Sequence, residues 1–115
     1  DELTSKEKGE TSADIRRRVQ TAREAQNSRF AGYRGIFSNA DMRSKEIKSH
    51  CRISSSGSRL IQIAIDKLGL SARAYDRILR VSRTIADLED SEDILDHHIS
   101  EAIHYRSLDR NLGLF

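Results

Sequence analysis

Proline is absent from this chain, aromatic residues make up only 5% of it, and its apolar runs are short. The β-branched and aromatic runs, punctuated by turn residues, from which sheets are built are missing too. Charged residues account for 33%. An all-α fold is therefore expected. At 115 residues it should be one small bundle of four to five helices around a single core. No apolar stretch approaches a membrane span and no signal peptide is visible. The single cysteine, Cys51, cannot close an internal disulfide, so the chain is compatible with a reducing cytoplasm. There is also no GxxxxGK followed by Ser or Thr, and no apolar strand ending in paired acids. GETSADIR sets a glycine before a helix start, but with no lysine and no preceding strand. The chain alone should not hydrolyse ATP. It opens on Asp1 without an initiator Met, which suggests a piece of a longer protein.

What is present is organised around Ser71 to Asp90, SARAYDRILRVSRTIADLED. At about 100° per residue this stretch splits into two halves. Ala74, Tyr75, Ile78, Leu79, Val81, Ser82, Ile85, Ala86 and Leu88 take one side. Arg73, Asp76, Arg77, Arg80, Arg83, Thr84 and Asp87 take the other. The apolar side is broad enough for the centre of a helical core. Ser71 is a good N-cap, and Leu70 can staple onto Tyr75. The remaining helices are expected on the Tyr75/Ile78/Val81/Ile85 side.

In chain order, residues 1–9 read as a flexible lead-in, residues 10–110 as the helical domain and residues 111–115 as a tail. Thr11 or Ser12 caps a helix to about Phe30, with Asp14 in its first turn. Its apolar face (Ile15, Val19, Ala22, Gln26, Phe30) is thin, which predicts partial exposure. A loop follows to Asn39, then a short helix from Asp41 or Ser44 to about Cys51. After RISSSG, Ser58–Leu68 forms a helix that Gly69 stops. An acidic connector, Asp90–Leu95, leads to a last helix that Asp96 caps, running from His97 to about Ser107. Charge is uneven. Gly35–Arg83 holds ten Lys/Arg against four Asp/Glu, net +6, and Thr84–Phe115 two against eight, net −6. Pairing between helices of one domain is the plain reading; a polarised surface facing a partner is the other.

Few residues suggest chemistry. His97, Glu101 and His104 share a helix face, but three metal ligands on one helix are uncommon and a solvated polar face explains them better. No metal site is expected. Cys51 and His50 are helix neighbours that point apart, so Cys51 reads as a small buried residue. Arg73, Arg77 and Arg80 fall at i, i+4 and i+7, within about one-sixth of a turn. A solvated face competes here with a phosphate-binding one. Arg77, Arg80 and Arg83 together make a possible nucleic-acid or partner surface.

GLSARAYDRILRVSRTIADLEDSEDI and HISEAIHYRSLDR resemble the C-terminal region of the Mg chelatase-like AAA+ ATPases, nearest the competence-associated type. GETSADIRRRVQTAREAQNSRF and SNADM with IKSHC are similar to the segments that follow the ATPase core in that family. The resemblance implies an AAA+ C-terminal lid subdomain. It further implies ATP and Mg bound mainly by an upstream core, neighbouring subunits in a hexameric ring, and DNA translocation or branch migration. In such lids an arginine after a small-residue turn at the start of this helix reaches the nucleotide γ-phosphate, the sensor 2 role. In LSARAYDRIL that position is Arg73, with Arg77 as second choice. The alternatives are a non-enzymatic helical module that binds nucleic acid or protein, and the lid of a true Mg chelatase ATPase subunit.

Overall fold

The computed structural model describes residues 11–111, with side chains described through Tyr105. The lead-in assigned to residues 1–9 and the tail beyond residue 111 lie outside the described residues. Among the described residues five α-helices form an all-helical globule: α1 (Ser12–Arg29), α2 (Ser44–His50), α3 (Ser55–Leu68), α4 (Ala72–Leu88) and α5 (Asp96–Asn111). A 3-10 turn, Asn39–Asp41, precedes α2. There is no strand among the described residues.

α4 packs against every other helix and against the 3-10 turn. Its apolar half supplies Ala74, Ile78, Leu79, Ile85 and Ala86 to a core shared with Phe30, Ile47, Ile61, Ile94 and Ile99. Two details differ from the sequence reading. Val81 remains 36% exposed, because it stands at the margin of the apolar half, over a cleft. Ser71 holds the extended N-cap conformation, but its side chain makes no capping hydrogen bond.

Local chemistry sets the other boundaries. Thr11 and Asp14 form a reciprocal capping box: Thr11 Oγ1 accepts from Asp14 N at 3.1 Å and Asp14 Oδ2 from Thr11 N at 3.4 Å. α1 buries Ala22, and Phe30 just beyond its end, while Ile15 and Val19 stay exposed, as its thin apolar stripe predicts. α3 starts three residues earlier than expected. Ser54 Oγ accepts from Gly57 N at 3.1 Å and caps it. Gly69, at φ 64°, ends α3 in the left-handed conformation that glycine adopts without a Cβ penalty. α5 continues past Ser107 to Asn111.

Candidate functional site

The arginines of α4 separate along its length. Arg73, the second residue of the helix, is exposed, and no hydrogen bond or ion pair holds it among the described residues. Arg77 is exposed one turn on. Arg80 is half-buried, with Nη1 3.4 Å from the Met42 carbonyl. Arg83 is only 4% exposed, so it cannot belong to the basic surface expected of Arg77, Arg80 and Arg83. It lies about 60° further round the helix than Arg80. That rotation carries it under the connector.

Arg83 enters a buried polar hub. Its Nε donates to Asp87 Oδ1 at 3.2 Å, Nη2 to the Ser91 carbonyl at 2.7 Å and Nη1 to the Glu92 carbonyl at 3.0 Å. Arg29, from the end of α1, grips the same carboxylate in bidentate fashion, with both contacts at 2.8 Å. Asn39 Nδ2 donates to Asp87 Oδ2 at 2.9 Å and to Thr84 Oγ1 at 3.1 Å, while its backbone N–H donates to Gln26 Oε1 at 2.8 Å. Asp87, 2% exposed, is thus saturated by two guanidinium groups and an amide. Burying a charge is tolerable only with pairing this complete. The hub ties α1, the 3-10 turn, α4 and the connector together. Helical spacing puts Arg83 and Asp87 on the polar half of α4. Their i, i+4 spacing was the available signal; the partners Arg29 and Asn39, far away in sequence, had none.

His97, Glu101 and His104 do not form a cluster. Instead the Nε2 atoms of His97 and His98 each lie 2.9 Å from Glu89 Oε1. Both contacts hold the Glu89 carboxyl below its ordinary value, with the His97 hydrogen bond the larger cause. The three groups sit close enough to suggest a metal site, but the tautomer argues against one. The buried His98 accepts the Leu95 N–H on Nδ1 at 2.9 Å, so its proton belongs on Nε2, facing Glu89. A metal at that nitrogen would move the proton to Nδ1, against the Leu95 N–H. The cluster closes the start of α5.

Cys51 is buried, and burial pushes its thiol up to about 11, which makes it a poor nucleophile at neutral pH. His50 is held below its ordinary value by burial and then by the Arg29 charge, and its Nε2 lies 2.7 Å from the Tyr33 hydroxyl. Both belong to packing.

Fold and surface together define a small helical domain, tied at one end of its central helix by buried charge and carrying exposed arginines at the other. The family described as Magnesium chelatase, subunit ChlI C-terminal, matches residues 9–106, and the chain belongs to it. Competence protein ComM of Haemophilus influenzae is 43% identical over 106 residues, covering 92% of this chain and 20% of that protein. The uncharacterised protein YifB of Escherichia coli K12 is 40% identical over 104 residues, and that of Salmonella typhimurium 39% over 105, each again covering 20% of the relative. The chain therefore spans about a fifth of the length of the curated relatives it matches. No helix among the described residues is long and apolar enough to cross a membrane.

Proposed function

We propose that the chain is the helical lid of a Mg chelatase-like AAA+ ATPase, closing over nucleotide held by an upstream core and reading its γ-phosphate through Arg73. The observation that carries this is the start of α4, where an exposed arginine stands at the second helical position with no partner among the described residues. Ala74 N donates to the Ser71 carbonyl at 2.9 Å, but Ser71 offers the Ala72 and Arg73 N–H groups no side-chain acceptor. Those groups and a planar guanidinium fork suit a phosphate oxygen. ATP with Mg supplies the transferable phosphoryl group. Arg73 orients that group and offsets its charge, and the hub at Asp87 holds α4 in fixed relation to α1. Closure then couples the nucleotide state to neighbouring subunits in a ring.

The likeness to a competence protein favours DNA translocation or branch migration over Mg²⁺ insertion into a porphyrin as the work done. A nucleic-acid-binding module without ATPase function is the second reading. It draws on Arg77 and Arg80, about 120° and 60° round the helix from the hub arginine.

The test is ATP turnover in the full-length ATPase carrying this domain. Arg73→Ala should lower it by about tenfold or more, since arginines acting on a transferring phosphoryl group contribute up to several powers of ten. Arg59→Ala, an exposed arginine of α3, should leave turnover unchanged. Equal losses in both variants, or full turnover without Arg73, would refute the assignment.

A further inference from the structure

The start of α4 carries Arg73, and few contacts hold that turn in place. Gly69 to Ser71 join it to α3. Leu70 anchors this corner: it is 8% exposed, and its N–H donates to the Ile65 carbonyl at 3.0 Å. Ala72 and Arg73 are exposed, and Ala74 alone of residues 72–75 is buried. A cleft of about 470 Å³, lined by Gln62, Ile65, Ala72, Tyr75 and Asp76, opens between α3 and this turn. The hub at Asp87 lies about 21 Å down the axis, at about 1.5 Å per residue, so a tilt of about 5° there moves Arg73 by about 2 Å.

One directional side-chain contact ties this turn to α3. The Tyr75 hydroxyl lies 3.0 Å from Ser58 Oγ, in a half-buried position. The Tyr75 ring packs against the core while its polar tip reaches the neighbouring helix. Apolar packing sets how deep the turn sits but is non-directional. The hydroxyl pair fixes its rotation about the axis. Tyr75 stands about 200° round the helix from Arg73, so it grips the turn from the side opposite the guanidinium.

We infer that Tyr75, held by Ser58, is a positioning residue for Arg73: their hydrogen bond sets where the guanidinium stands when the lid closes over nucleotide. The inference rests on the γ-phosphate role proposed above for Arg73. Tyr75 acts through Arg73 and not on the nucleotide. Misplacing a reacting or charge-stabilising group by about 1 Å can cost about a hundredfold in rate. A single hydroxyl far from the phosphate can therefore be felt in turnover.

The test is a double-mutant cycle on ATP turnover in the full-length ATPase carrying this domain. Tyr75→Phe keeps the ring, removes the hydroxyl and should lower turnover by about threefold or more. Ser58→Ala should do the same, whereas Ser58→Thr, which keeps a hydroxyl, should retain turnover. In an Arg73→Ala background Tyr75→Phe should lower turnover no further, because the group it positions is gone. A purely structural role would reduce both backgrounds by the same factor, and that result would overturn the inference. So would wild-type turnover in Tyr75→Phe beside an impaired Arg73→Ala, an outcome that leaves the Arg73 reading standing. Full turnover in Arg73→Ala would instead remove that reading and this inference with it. Amide exchange in the same proteins gives a readout that does not depend on rate. Tyr75→Phe should speed exchange at residues 74–77 by about threefold or more and leave residues 82–86 unchanged. Unaltered exchange at the start of α4 would contradict the positioning role.

Discussion

The two ends of α4 are written in the same residues and do opposite things. Near its start, Arg73 and Arg77 stand in solvent; ten residues on, Arg83 is buried against Asp87. The difference is made by what covers each end. The connector folds back over the last turns, and Arg29 and Asn39 arrive from α1 and the 3-10 turn, so charge there is desolvated and fully paired. Nothing among the described residues covers Arg73. A polar half read from helical spacing is therefore one surface only until tertiary neighbours divide it. The buried end ties α1, the 3-10 turn and the connector to α4, and the open end meets solvent.

Breaking the buried end should give the largest effect. Asp87→Ala leaves Arg29 and Arg83 facing one another without their carboxylate, at 14% and 5% side-chain exposure. Removing one member of a buried charge cluster typically costs about 3–5 kcal/mol. Urea unfolding should place the loss in that range. A loss under about 1 kcal/mol would mean that water reaches the hub.

The next effect tests the junction of α3 and α5, away from both ends of α4. A Cβ on Gly57 would lie 2.6 Å from Ile99 Cδ1 and 3.2 Å from Asp96 Oδ1. Ile99 is fully buried and has little room to yield. Alanine gains about 1 kcal/mol in helix propensity over glycine, while overpacking costs about 1–3 kcal/mol. Gly57→Ala should thus be destabilising overall, by about 1 kcal/mol. A stabilised variant would show that α5 can move away from α3.

The smallest effect concerns pH. The Glu89 carboxyl titrates below its unfolded value because His97 and His98 bond to its charged form. A group depressed in the folded state adds stability above its unfolded pKa, and that stability is lost as pH falls through the folded value. Glu89 is 44% exposed, so solvent screening keeps the contribution small. Glu89→Gln should slightly lower stability at neutral pH and make it less sensitive to acid below about pH 4.5. An unchanged acid profile in this variant would remove Glu89 from the account.

Much of the fold was legible because α4 and α3 follow helical spacing closely and Gly69 marks a stop with a physical cause. The partial exposure of α1 followed from the sparseness of Ile15, Val19 and Ala22. The hub was not legible, since its partners come from residues 29, 39, 83 and 87 and only the last two share a periodic pattern. Nor was the true arrangement of the histidines. His98 gives one nitrogen to the Leu95 N–H and turns the other to Glu89, which spacing along a single helix cannot reveal. Arg73 was picked out by family resemblance; the geometry adds its exposure and the uncapped helix start.

The most direct test of the divided helix compares Arg73→Ala and Arg83→Ala by urea unfolding under identical conditions. Arg73→Ala should change stability by less than about 0.5 kcal/mol, as for surface positions. Arg83→Ala strands the Ser91 and Glu92 carbonyls and removes one of the two guanidinium groups paired with Asp87, and should cost about 3 kcal/mol or more. Similar losses in the two variants would contradict the division of α4 into an open end and a structural one.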